Sequence, residues 1–310
     1  MNGSIAWPGG KDFAFTIFDD TDYATIENVP AVYSLLNDLG YRTTKSVWPI
    51  SGIDKPLCKG ATCEDEKYLK WILELKEQGF EIGYHMATFH TSRRDDTIAA
   101  IDRFASLIGH HPNTMSNHSV CEENIYWGSS RLSGINALFY NMLTRYRSYK
   151  KYRGHGVGDE LFWGDICKDR IKYVRNFVFP EINTLKACPF MPYRDPRRPF
   201  VNYWFASSEG PEIAAFNKTV SEKNQDMLEE EGGACIMYAH LACGFNKDGE
   251  IDPRFRTLME RLSRKNGWFV PVGTLLDYLL DINGVHVITD AERGNLERKW
   301  LWHKIRIVRS

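Results

Sequence analysis

Two adjacent carboxylates, Asp19 and Asp20, end the run FAFTIFDD, and a third, Asp22, follows two positions later. Histidines stand at comparable places further on: FEIGYH ends at His85, with His90 five residues beyond, and ACIMYAH ends at His240. Asn117 and His118 close TMSNH, and Asp165 closes LFWGD. Two imidazoles and one carboxylate form a donor set suited to zinc or a similar divalent ion, with positions left for water. A second carboxylate nearby can take a proton from that water, and a separate histidine can protonate a leaving group. Adjacent residues of a strand point to opposite sides, so Asp19 and Asp20 need not share a task. A cation between them would also relieve the repulsion that such a pair creates.

The elements that must position these residues alternate along the chain. Short β-rich runs fall at Phe13–Phe18, Thr43–Pro49, Phe80–Tyr84, Thr114–Asn117, Glu160–Trp163, Val201–Ala206 and Ala234–Ala239. Amphipathic helical stretches lie between them, at Val29–Leu39, Asp65–Gln78, Asp95–Ile108, Leu132–Arg147, Cys167–Phe177, Lys218–Glu231 and Pro253–Lys265. A last strand and helix follow in GWFVPVGTLLDYLL. Strands alternating with helices imply parallel βαβ units. Without a Gly/Ser/Pro linker, they favour one closed barrel over residues 1–310 rather than two domains. In such a barrel the C-terminal strand ends converge on one mouth, where chemistry sits. The candidate residues all fall there.

Composition narrows the partners. The 310 residues carry a net charge of −1, so no global field argues for nucleic acid. Seven cysteines without a repeated spacing fit reduced thiols in a cytosolic protein rather than a zinc knuckle. The N-terminus lacks a basic segment followed by an apolar core, and no window approaches a membrane span, so a cytoplasmic location is expected.

These residues resemble the polysaccharide deacetylases of the NodB-homology type, carbohydrate esterases built on a distorted (β/α)7 barrel. TIFDDTD is similar to that family's TFDDG, EIGYHMATFHTS to its H-[ST]-x-x-H motif, and ACIMYAH to its final strand ending in histidine. The resemblance implies that Asp19 is the base, that Asp20, His85 and His90 hold a divalent metal such as zinc, and that His240 is the acid. Asp22 has no role in this scheme. The substrate implied is an acetylated amino sugar, and the absence of an export signal points to a small-molecule, nucleotide-linked or lipid-linked sugar precursor. Two alternatives stand beside it: hydrolysis of a non-sugar amide or cyclic imide, and a metal-free barrel that binds glycans without turnover.

The chain departs from the family in three places. His85 and His90 are five apart, a step that turns about 140° on a helix, so His90 can ligate only from a loop. Ser92 followed by Asp95 resembles a capping box that would start the helix after that loop. Thr21 replaces the usual glycine, and SNHSVCEEN replaces the family's arginine-containing motif, leaving Arg94 or Arg194 to support the base. Asn117, His118 and Asp165 are expected to line the substrate site, although each also suits a turn or helix cap. Arg131, Arg145, Arg147, Lys150, Lys151 and Arg153, interleaved with tyrosines, read first as a solvated helix face and second as a wall for a sugar phosphate. The basic tail ERKWLWHKIRIVRS reads as a packed terminal helix, with contact to an anionic membrane surface as the alternative.

Overall fold

The structure is a computed structural model that describes residues 5–53 and 58–309. Seven parallel strands close into a barrel surrounded by helices. They are β1 (Phe13–Asp19), β2 (Thr44–Val47), β3 (Glu81–Tyr84), β4 (Thr114–Met115), β5 (Tyr173–Phe179), β6 (Tyr203–Glu209) and β7 (Ala234–Ala239). Each pairs with the next in chain order, and β7 returns to β1 over six matched residues, from Ala14↔Ala234 to Asp19↔Ala239. The barrel is distorted where its pairing is thin. β4 is two residues long, and the β5–β6 register shifts between Arg175 and Val178. A short strand, Gly267–Phe269, adds to β1 outside the ring.

Continuous apolar runs make these strands because a parallel strand inside a ring of helices is covered on both faces. Every residue of β1 and of β5 is buried. The helices follow the complementary rule. In Glu66–Glu77, Tyr68, Trp71, Ile72 and Leu75 recur at helical spacing and are buried, each worth roughly 1.5–3 kcal/mol of burial. Asp65 caps this helix by accepting from the Tyr68 N–H at 2.9 Å. Gly79, at φ +90°, ends it and turns the chain into β3.

The structure corrects several expected boundaries. Glu160–Trp163 is a turn leading into a helix at Gly164–Arg170, not a strand. The helix expected over Cys167–Phe177 stops at Arg170, and the chain continues as β5. Tyr173, Val174, Phe177 and Phe179 suit a strand, and β4 and β6 supply partners on both sides. The expected Lys218–Glu231 helix is broken at Val220–Ser221 into Ile213–Thr219 and Glu222–Glu230. The helix after His90 begins at Arg94, and Arg93 rather than Ser92 takes the extended N-cap position. The stretch 50–64, which carries neither strand nor helix periodicity in the sequence, includes residues 54–57 that lie outside the described residues. All seven cysteines are free thiols.

Candidate metal centre at the barrel rim

Asp22, His85 and His118 meet at the C-terminal rim of the barrel. Asp22 stands three residues past the end of β1, His85 directly follows β3, and His118 lies three residues past β4. Nε2 of His85 is 2.9 Å from Asp22 Oδ2, and Nε2 of His118 is 2.9 Å from Asp22 Oδ1. His240, after β7, brings its Nε2 to 3.5 Å from Asp22 Oδ2. Sharp backbone turns aim the first two residues inward. Tyr23 and Met86, immediately after Asp22 and His85, both adopt left-handed backbone, at φ +61° and +66°. Such conformations are unfavourable for side chains of this size and persist where surrounding structure enforces them. The 117–125 loop is clamped by Asn117, which donates to the Ile125 carbonyl at 3.1 Å and accepts from its N–H at 2.9 Å.

Hydrogen bonds around the cluster place the proton on the Nδ1 side of His85. Ser116 Oγ donates to Asp20 Oδ1 at 2.8 Å and stands 2.6 Å from His85 Nδ1. With its single proton committed to a carboxylate, the hydroxyl can only accept from Nδ1–H of His85. His85 Nε2 therefore faces the Asp22 carboxylate either as an imidazolium or as one acceptor against another with a cation between them. Burial opposes ionisation of Asp22, but His85 and His118 outweigh it and hold the carboxyl far below the usual range. Burial pulls His118 below the ordinary histidine range, only partly offset by Asp22, which favours the neutral ring that ligation requires. Burial and Asp22 push the Cys58 thiol up to about 12, so its 3.3 Å approach to Asp22 is that of a thiol donor.

This donor set fits a divalent ion. One carboxylate and two imidazoles about 2.0–2.2 Å from a common tetrahedral ion lie about 3.4 Å apart. The observed 2.9 Å separations reach that with shifts of about half an ångström. The Ser116 contact to His85 Nδ1 is the kind of outer hydrogen bond that orients a metal-bound histidine.

Asp20 lies beside the cluster. Arg175, inside β5, grips it through two N–H bonds, at 3.1 Å to Oδ1 and 2.5 Å to Oδ2. Burial would raise the Asp20 pKa, but Arg175 and then His85 hold it below the usual range. His240 Nδ1 lies 3.0 Å from the Pro211 carbonyl, which can only accept, so Nδ1 carries a proton and Nε2 faces the cavity. Asp20, Asp22, His85, His118, Arg175 and His240 all line one cavity of about 440 Å³.

The other expected residues lie elsewhere. Asp19 does not line the cavity: its Oδ2 pairs with the buried Lys45 at 2.9 Å and accepts from Tyr33 Oη at 2.9 Å, while Oδ1 accepts from the Leu241 N–H at 2.8 Å. Opposite orientation of neighbouring residues thus separates Asp19 from Asp20 as expected, but with Asp20 on the cavity side. His90 is outside the cluster. Its Nδ1 is 2.8 Å from the Thr91 carbonyl and its ring lies against Gly52, where a Cβ would come within 2.2 Å of Nε2. Arg94 forms a paired contact with Asp165 near the surface, at 2.7 Å for each bond, so neither reaches Asp20. Arg194 is exposed and lies 5.1 Å over the Tyr203 ring. Asn117 and His118 do line the cavity. The sequence reading missed Asp22 and Arg175. A lone arginine within the apolar run YVRNFVF was the available signal for the second.

Comparison with solved structures supports the architecture. A protein from Mycobacterium smegmatis, provisionally described as a polysaccharide deacetylase, matches with a TM-score of 0.54 at 11% identity, over 92% of this chain and 96% of its own. The chain shares the (β/α)7 barrel fold of that protein. A protein from Pseudomonas aeruginosa PAO1, described in similar terms, matches with a TM-score of 0.50 at 11% identity, over 90% of this chain and 94% of its own. An allantoinase gives a TM-score of 0.49 at 12% identity, over 90% and 93%. No family model and no curated protein sequence matches the chain. At 11% identity the likeness to the first two establishes the barrel fold alone. Among the described residues, no helix is long and apolar enough to cross a membrane.

Proposed function

We propose that the protein is a metal-dependent hydrolase of non-peptide C–N amide bonds that removes the acetyl group from an acetylated amino sugar. The observation that carries this reading is the Asp22 carboxylate shared by Nε2 of His85 and of His118 beside the Asp20–Arg175 pair. A divalent ion held by Asp22, His85 and His118, zinc being the natural candidate for this donor set, would polarise the amide carbonyl and acidify a water. Asp20, kept ionised by Arg175, is the acceptor for the proton of the attacking water. Arg175 holds that carboxylate in one orientation, the service expected of Arg94 or Arg194. His240 anchors Nδ1 on the Pro211 carbonyl and presents Nε2, which as an imidazolium gives its proton to the departing amine. Asp19 braces the backbone that follows His240 through its bond to Leu241.

Metal content and acetate release together test this reading. The purified wild-type chain is expected to hold one zinc and to release acetate from a panel of N-acetylated amino sugars. Asp22→Asn and His118→Ala should lose both properties, whereas His90→Ala should retain the metal. If His90→Ala loses the ion while His118→Ala keeps it, the proposed ligand set is wrong. A metal-loaded wild type that cleaves no amide would remove the hydrolase reading.

A further inference from the structure

Arg131 lines the same cavity as the Asp22 cluster, yet it is a buried cation without a counter-charge. It is 4% exposed, and its Nε and Nη2 have no hydrogen-bond partner. Among the described residues no carboxylate pairs with it. The neighbouring arginines are matched, Arg175 by Asp20 and Arg198 by Asp195 and Glu297. Aromatic faces hold the guanidinium instead, with its carbon 3.5 Å from the Trp127 ring and 4.9 Å from Trp300. Such faces offset part of the cost of burial but accept no in-plane hydrogen bonds. A buried charge is ordinarily paired, and a planar guanidinium fork matches a carboxylate or a phosphate. We propose that Arg131 is the anion-recognition residue of this cavity, so that the substrate presents a carboxylate or phosphate group beside the bond to be cleaved. The anion site stands on Arg131 alone, and only the reference to a cleaved bond rests on the hydrolase reading.

The test separates the two. The full chain, stripped of metal with chelator so that no ion contributes, is titrated calorimetrically with inorganic phosphate and with glucuronate. The wild type should bind at least one, and which one identifies the anion. Arg131→Met should weaken that binding about 10- to 100-fold, and Arg131→Lys by less. On zinc-loaded protein, N-acetylglucosamine 1-phosphate or 2-acetamido-2-deoxyglucuronate should be cleaved in preference to N-acetylglucosamine, and Arg131→Met should abolish the preference. Wild type that binds neither probe, or variants that bind as wild type does, overturn the proposal. Arg131-dependent anion binding without any amide cleavage sustains the anion site and removes the hydrolase reading instead.

A separate observation lies on the helix Gly134–Leu143, which is turned inside out. Ile135, Leu138, Phe139, Met142 and Leu143 follow the spacing of a core-facing stripe but are all exposed, Ile135 by 79%. Its buried side is polar and anchored: the Glu297 carboxylate accepts from the Ser133 N–H at 3.0 Å, from Ser133 Oγ at 2.7 Å and from Asn136 at 2.9 Å. Exposed Arg145, Arg147 and Lys150 follow directly, and no acidic residue occurs from 124 to 158. An apolar stripe flanked by cations and free of acids complements an anionic lipid surface. We infer that this face docks on anionic membranes. Tyr140 and Thr144 of the same segment line the cavity, so docking would bring its mouth to the headgroups.

Co-sedimentation with phosphatidylcholine vesicles, with and without phosphatidylglycerol, tests this. Wild type should pellet with the anionic vesicles, less so as salt is raised, and Leu138→Glu/Phe139→Glu should stay in solution. Wild type that ignores anionic vesicles overturns the inference. So does a wild-type dimer that this double variant converts to a monomer, which would make a second copy the occupant.

Discussion

Replacing Glu123 by Gln should change how stability depends on pH, by an amount the structure specifies. Glu123 is fully buried in the loop after β4, and neither carboxyl oxygen has a hydrogen-bond partner. Burial pushes its carboxyl from the ordinary 4.5 up to about 8. Between those values the folded chain holds a proton that the unfolded chain has released, so stability falls as pH rises. The slope is about 1.4 kcal/mol per pH unit, which gives roughly 3 kcal/mol lost between pH 5 and pH 7 from this group alone. Glutamine is neutral throughout and resembles the protonated acid in shape and polarity. At pH 5 the two proteins should therefore be similar in stability, and at pH 7 the Glu123→Gln variant should be the more stable. Urea unfolding of both chains at half-unit pH steps measures the difference, in which titrations common to the two cancel. Parallel curves, or a wild type that gains on the variant as pH rises, would refute the reasoning, since either means the folded state keeps Glu123 ionised.

Other substitutions probe the rim. Arg175→Met removes the cation that opposes burial at Asp20, so the acidic limb of the pH–rate profile should move to higher pH; an unmoved limb would exclude Asp20 as the proton acceptor. Stability should fall by about 3–5 kcal/mol in the same variant, as expected when one partner of a buried ion pair is lost, with part of it restored by adding Asp20→Asn. Asp19→Asn should destabilise through Lys45 by a comparable amount yet keep the metal, measured by elemental analysis. Loss of the ion there would return Asp19 to the ligand set.

The rim was legible in the sequence wherever a strand end was sharp. FAFTIF and ACIMYA are mostly apolar runs, so the positions of the acids after the first and of His240 after the second follow from the end of each run. Asp22 was obscured because it stands in the turn beyond the strand, where an acid ordinarily signals only a turn. Arg175 was hidden by the misreading of β5, whose central Arg-Asn interrupts an otherwise strand-like run and depends on the Asp20 partner 155 residues away. His90 attracted a role by resemblance to the motif despite its five-residue spacing, but the turn at Met86 sends the following loop to Gly52 instead. The outward apolar stripe of Gly134–Leu143 reads as an ordinary core face, because periodicity gives a stripe but not the side on which it lies.

The adjacent acids at the end of β1 have separate internal counter-ions, Lys45 for Asp19 and Arg175 for Asp20. Their mutual repulsion is thus settled when the barrel closes rather than when an ion arrives. The site is in this sense an exchangeable socket. On the proposed ligand set, only Asp22 and its histidines answer to the ion, so exchanging one divalent metal for another leaves the shape of the strand end unchanged.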